Sequence, residues 1–446
     1  MFEKLRNAKL RVLGWLRRIT GGRGEREISE SRDTDADTPR DTENAVEPLG
    51  QAPTPREVWG QAQGQAPAAE SCPYCASKQF VRRGTRKKKL EIAQLYLCRA
   101  CGKTFTAQSV KGRRYPLYLI IESVQYYYLG YSLTQSSAIV RAKFGVAIPP
   151  ATISDWTREF AAFCPYTRLR EFALKRFSAK DAVVVTSMAH RQTYRFRYHR
   201  AKISLILDDF KHRKFERLRD YLESVSAETP HHYFQEGDRI SETKARFSYE
   251  GVYLRAKENY ATRIAHFVLQ AVKENKFRHE ALQRFMIATD SVTVATEVPV
   301  YITGEDMEHL QRALGFEIAG FDDWKKDKRR ILITGHIDFL QVRNGQVHIM
   351  DYKPHAEKER PIEQLTWYAL ALSRLTGLRL YEFVCAWFDD THYFEFYPLH
   401  VVMKKTKRGG KARKKKWNAE LKVGVARPLE EVTAPPGKRR ATILPP

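Results

Sequence analysis

The chain has 446 residues, long enough for two or three domains, and 43% of them are hydrophobic, so each domain can have its own core. A formal charge of +25 at pH 7 points to a polyanionic partner, of which nucleic acid is the common one. Six cysteines are too few for a disulfide scaffold, and no apolar run approaches the ~20 residues of a bilayer-spanning helix. A disulfide-built secreted protein and a helical membrane protein are thereby excluded, and the expected setting is cytoplasmic and nucleoid-associated.

Residues 1–70 read as a basic arm and a disordered linker. Leu5, Leu10, Leu13 and Leu16 stand among Lys and Arg, and the Gly-, Pro-, Gln- and Thr-rich stretch behind them has too few large apolar residues to offset the entropy of folding. A metal module follows at 71–110. Cys72-Pro-Tyr-Cys75 and Cys98-Arg-Ala-Cys101 can each turn two sulfurs toward one point, and two such knuckles close a tetrahedral four-cysteine Zn2+ site. No coordination position is left for substrate, so this zinc is structural. Arg82, Arg83, Lys87 and Lys88 lie between the knuckles, on a ribbon too small to have much core, and suit phosphate contact.

Residues 111–165 carry three helical segments, the last beginning at Ala151-Thr-Ile-Ser-Asp-Trp-Thr-Arg after a turn at 145–150. The cysteine pattern, the basic run and these helices together resemble the zinc ribbon and helix-turn-helix at the N-terminus of certain insertion-sequence transposases. The resemblance implies a recognition helix placed last, with Thr152, Ser154 and Arg158 facing a DNA groove. An ordinary three-helix bundle is the plainer alternative. Residues 166–250 have a mixed pattern and read as a connecting region. From 251 to 402 helices alternate with short apolar strands, as in an α/β domain. A basic tail at 403–446 opens on Lys404-Lys-Thr-Lys-Arg and serves as a phosphate tether or a solubilising end.

Within the α/β stretch, two apolar runs with several β-branched residues flank Asn344-Gly345, the strongest short hairpin signal. A two-residue turn there pairs Arg343 with Gln346, which sets Asp338 opposite Asp351 and His336 opposite Lys353. Strand alternation puts these four side chains on one face, and apolar residues on both faces predict a sheet covered on each side. Two opposed carboxylates repel, and a divalent cation between them removes the conflict. Gln364 and Tyr368, behind Pro361, share one face of the next helix. Upstream, Tyr253, Tyr260, Ile264 and Phe267 mark another helix carrying His266, which taken alone reads as a core histidine.

These elements resemble the RecB-type branch of the PD-(D/E)XK nucleases, with its helical His, "G-x-x-D" strand, "D-x-K" strand and "Q-x-x-x-Y" helix in that order. The matching positions are His266, Gly335 with Asp338, Asp351 with Lys353, and Gln364 with Tyr368. The resemblance implies a restriction-endonuclease-like mixed sheet flanked by helices. It implies Mg2+ or Mn2+ held by His266, Asp338, Asp351 and the carbonyl of Tyr352, with Lys353 assisting the attacking water. Gln364 and Tyr368 would orient Lys353 or the scissile phosphate, and Glu297 would stand on an acidic strand ahead of the hairpin with a secondary role. The expected activity is metal-dependent hydrolysis of DNA phosphodiester bonds, targeted by the ribbon and helices, and RNA stays open as the polymer. The rival reading is a transposase, or a transposase-derived DNA-binding protein without nuclease activity; Asp208, Asp209 and Glu250 offer acids for it but no frame to gather them.

Overall fold

Both CxxC motifs turn the chain in the same way. Ala76 N donates to Cys72 O at 2.8 Å and Gly102 N to Cys98 O at 3.0 Å, and both residues after the second cysteine take positive φ, 56° and 66°. Strand β1 (Phe80–Lys87) pairs antiparallel with β2 (Ile92–Cys98), which pairs with β3 (Thr104–Thr106) in a separate three-stranded sheet. The rings of Phe80, Tyr96 and Phe105 meet at centroid distances of 5.4–5.5 Å and make up most of the small core. This computed structural model describes residues 59, 71–87, 90, 92–106, 114–209, 213–242, 247, 254–272, 274–312, 315–316, 332–403 and 424–425. The basic arm, most of the linker, Lys88, Tyr253, Glu250 and the run from Lys404 to Lys416 lie outside them, as does the side chain of Lys87.

Three helices follow the ribbon. Helix α1 (Leu117–Tyr128) is buried along nearly its whole length. The Ser132 side chain and Gln135 form a capping box at the start of α2 (Leu133–Phe144), which ends on Gly145 in the left-handed conformation. Pro150 opens α3 (Pro150–Glu159), whose Ile153 and Trp156 face inward. Helix α4 (Thr167–Arg176) leads to the hairpin of β4 (Val183–His190) and β5 (Gln192–His199).

Next come α5 (Arg200–Asp209), α6 (Glu216–Glu228), the two-residue strands β6 (Asp238–Arg239) and β7 (Arg255–Ala256), α7 (Tyr260–Leu269) and α8 (Arg278–Thr289). The chain continues through β8 (Thr293–Thr303), α9 (Gly304–Arg312), β9 (Leu332–Arg343), β10 (Gln346–Tyr352), α10 (Ile362–Thr376), β11 (Phe383–Phe388), β12 (Tyr393–Phe396) and β13 (Gly424–Val425). These strands form one sheet in the order β13-β7-β12-β11-β10-β9-β8-β5-β4, with β6 alongside β9. Most neighbours run antiparallel, while β10 with β11, β6 with β9 and β7 with β13 run parallel, so the sheet is mixed.

Asn344 and Gly345 both have positive φ, 52° and 68°, as the expected turn requires. The β9–β10 ladder has the expected register, from Gln346 opposite Arg343 to Met350 opposite Phe339. Helices cover both faces. On one, α5, α6, α9 and α10 pack on residues such as Val298, Ile337, Ile349 and Trp387; on the other, α1, α3, α7 and α8 meet Phe339, Met350, Ala386 and Phe388. Two features go beyond the sequence reading. Residues 183–199, within the stretch read as a connecting region, supply two strands of the large sheet, and the helices at 117–159 share a core with that sheet. Among the described residues no helix is long and apolar enough to cross a membrane.

Candidate active site

Past Met350 the hairpin strands are bridged by a side chain: Asp338 Oδ2 accepts from Tyr352 N at 3.2 Å. The same oxygen lies 3.3 Å from His279 Nε2, which also donates to the carbonyl of Tyr352 at 2.9 Å. Asp351, only 3% exposed, has Lys353 Nζ 2.9 Å from its Oδ2. That ammonium is the charge partner of a carboxylate otherwise enclosed by protein. One ligand atom each from His279, Asp338 and Asp351 falls within 4.8 Å of the others. A buried carboxylate, a second carboxylate and an imidazole converging beside a backbone carbonyl fit a divalent cation that takes oxygen ligands and one nitrogen.

The electrostatics agree. Burial and the neighbouring Asp338 drive the Asp351 carboxyl well above its ordinary range. Burial pushes Asp338 the same way, but His279 outweighs it and holds that carboxyl below the ordinary range. His279 loses basicity to burial and regains more from Asp338, ending pushed up to about 9. A third carboxylate, Glu297 of β8, lies between the Thr296–Phe339 and Val298–Ile337 pairs, across from Asp338. Burial and Asp338 raise it to about 8, while Gln283 of α8 donates to its Oε1 at 2.7 Å. Its φ of 50° is uncommon for a side-chain-bearing residue in a strand and costs on the order of 1–3 kcal/mol, a kind of strain that concentrates at working sites.

The motif glycine has a specific reason. A Cβ on Gly335 would lie 2.6 Å from Tyr368 Cε1 and 3.0 Å from Ile240 Cδ1, so the α10 tyrosine packs directly on the β9 backbone. Gln364, one turn earlier, donates through Nε2 to Tyr368 OH at 2.9 Å. Asp338, Asp351, Lys353, Gln364, Tyr368 and His336 all line one cavity of about 350 Å3. The expected face-sharing of His336, Asp338, Asp351 and Lys353 is therefore present, although His336 points its ring at Tyr194 and His190.

The structure brings a different histidine to the carboxylates from the one the motif order named. His266 is exposed on α7, where its carbonyl accepts from Gln270, and His279 of α8 stands beside the carboxylates instead. The helical period carries the reason. His266 falls off the buried stripe of Ile264, Phe267 and Val268, whereas His279 lies one turn before Leu282 and Gln283, which are buried, and so faces the sheet. Helix α7 also starts later than read, at Tyr260, behind an Asn259 cap that accepts from Ala261 N.

Elsewhere the four ribbon cysteines gather. Cys72 and Cys101 sulfurs lie 3.7 Å apart and those of Cys75 and Cys98 3.6 Å, with all four within 4.8 Å. A tetrahedral ion with bonds of about 2.3 Å would space its sulfurs ~3.8 Å apart. Arg82 and Arg83 are exposed on β1. On α3, Thr152 and Ser154 are half-buried and the exposed Arg158 is ion-paired to Asp155. Asp208, an acid considered for transposition, is paired at the surface with Arg176 at 2.5 Å.

Residues 208–392 match the family model of the PD-(D/E)XK nuclease superfamily. The matched stretch runs from α5 past β11 and contains His279, Glu297, Asp338, Asp351, Lys353, Gln364 and Tyr368. No curated protein and no solved structure matched the chain.

Proposed function

We propose that this protein is a metal-dependent nuclease that hydrolyses DNA phosphodiester bonds with Mg2+ or Mn2+. The observation that carries the reading is the convergence of His279, Asp338 and Asp351 beside the Tyr352 carbonyl, with Lys353 against Asp351. His279, Asp338, Asp351 and the Tyr352 carbonyl would hold the cation. When bound, it would lower the pKa of a coordinated water and offset charge that grows on the phosphate. Lys353 places its ammonium where it can orient the attacking water or contact the scissile phosphate. Tyr368 and Gln364 form the wall behind this centre and limit where the phosphate can sit.

The RecB-type branch is supported by the order of the motifs, once His279 takes the place first given to His266. The ribbon is proposed to hold structural Zn2+ on Cys72, Cys75, Cys98 and Cys101. Together with α1–α3 it would bring the nuclease to DNA, with Arg82 and Arg83 on phosphates and the α3 residues Thr152, Ser154 and Arg158 at a groove.

The test is cleavage of labelled DNA with Mg2+ or Mn2+ by Asp351→Ala and Lys353→Ala. Both should lose activity by several orders of magnitude while DNA affinity stays within a few-fold of the parent. Cleavage retained by both variants overturns the proposal.

A further inference from the structure

The cavity that gathers the metal set has a second wall for which the proposed hydrolysis has no task. It is aromatic, and its rings are stacked on one another. The ring of Tyr194, from β5, stacks on His336 at 3.6 Å and 9° between planes, and Phe234 stacks on His190 at 4.0 Å and 10°. His190 and His336 hydrogen-bond at 2.9 Å, which ties the two stacks together. Set into this wall is Arg239, whose Nη2 donates to Tyr194 OH at 2.6 Å. Its backbone is fixed as well, since β6 pairs Asp238 and Arg239 with Ile333 and Thr334, just ahead of Gly335.

Arg239 differs from the buried Arg197 and Arg284 in what holds it. Arg197 is nearly fully buried with Glu280 at 2.5 Å, and Arg284 with Glu122 at 2.5 Å, so both have close, shielded carboxylates. Arg239 has a neutral phenol as its close partner. Its carboxylate partner, Glu242, is 3.8 Å away and itself 61% exposed, a geometry worth little. A guanidinium braced by a tyrosine in the wall of a cavity, one-third exposed and weakly neutralised, is organised for an anion from outside. Its planar fork matches two oxygens of a phosphate.

We propose that Arg239 binds a backbone phosphate of the nucleic-acid strand held in this cavity, with Tyr194 as the brace that aims it. The assignment rests on the nuclease reading and adds a strand-binding residue that takes no part in holding the metal. Tyr194 lies outside the stretch matched by the superfamily model, so half of this device is built from the hairpin of β4 and β5.

The experiment compares the full-length protein with Arg239→Ala, Arg239→Lys and Tyr194→Phe. Binding of a fluorescein-labelled oligodeoxynucleotide is followed by anisotropy in Ca2+ across a range of salt concentrations, and Mn2+ binding by calorimetry. Arg239→Ala should weaken DNA binding roughly tenfold or more, as expected for a charge-assisted pair, and lower the salt slope by about one. Arg239→Lys should recover the slope and only part of the affinity, because a point charge replaces a fork. Tyr194→Phe should weaken binding less than Arg239→Ala and leave the slope unchanged. In cleavage, KM should rise for Arg239→Ala with kcat little altered, and Mn2+ affinity should equal that of the parent. Unchanged affinity and slope in Arg239→Ala overturn the proposal, as does an identical loss in Tyr194→Phe with no change of slope, which would make Arg239 only a prop for the ring. A parent protein that binds DNA but no Mn2+ would sink the nuclease reading instead, and the salt slopes would still decide Arg239.

Discussion

Gly335 and Tyr368 show how one residue type can be required by another far away in sequence. The hairpin can form with any residue at 335, but α10 can lay its tyrosine on β9 only where no Cβ intervenes. Gly335→Ala should therefore destabilise the protein by about 1–3 kcal/mol, as overpacking does, and depress cleavage by displacing the Tyr368 ring. In a Tyr368→Ala background the same alanine should cost much less stability, and a double-mutant cycle that finds the two changes simply additive would count against the contact. Lys202 offers a different residue-scale test. It is 1% exposed, and its Nζ donates to Ile287 O at 2.6 Å and Thr293 O at 3.2 Å. Burial lowers it from 10.5 to about 7, with Asp290 offsetting only part of that. Between those limits the unfolded chain binds more protons than the folded one, so this lysine makes stability rise with pH from about 7 to about 10.5. Lys202→Met should flatten the rise in urea-unfolding midpoints across that window; an unchanged slope would mean that the lysine titrates normally.

At the scale of elements, α8 connects the site to the helices in front of it. His279 stands at its start, Gln283 one turn on holds Glu297, and Arg284 reaches Glu122 of α1, which is fully buried and also accepts from Trp59 Nε1 at 2.7 Å. Replacing Arg284 with Ala would strand that carboxylate in the core, at an expected cost of about 3–5 kcal/mol. A Glu122→Leu, Arg284→Met pair should recover most of this, and thermal unfolding of the parent and the two variants measures it. The ribbon is held by less. Three aromatic rings are a small core for β1–β3, so the proposed zinc would supply much of their stability. Zinc chelation, or Cys98→Ser, should open 71–106 to protease while the ten-stranded sheet stays resistant.

The whole molecule carries +25, and its proposed work is on a polyanion, so its DNA affinity should fall steeply with salt. Arg82 and Arg83 lie on the ribbon and not at the metal set. Their joint replacement by Ala should weaken binding about equally for all DNA sequences and lower the salt slope by about two, with kcat at saturating DNA unaltered. A change confined to one DNA sequence would instead make the ribbon a reader of bases. The helices at 117–159 share a core with the face of the sheet opposite α10, so any DNA they bind would be presented from a surface continuous with the sheet that carries the proposed site.

What could be read from the residues alone was what short-range physics decides. Asn344-Gly345 dictates a turn, the turn dictates the register, and the register brings Asp338 and Asp351 together; the paired knuckles bring four sulfurs together in the same local way. The choice between His266 and His279, the joining of β4 and β5 to the sheet, the unusual backbone at Glu297 and the placing of Arg239 were decided only by packing. Periodicity says which side of a helix is apolar, but which helix lays that side against the end of a given strand depends on how whole layers fit. That fit is summed over many weak, non-directional contacts between residues distant in the chain, and no local pattern encodes it.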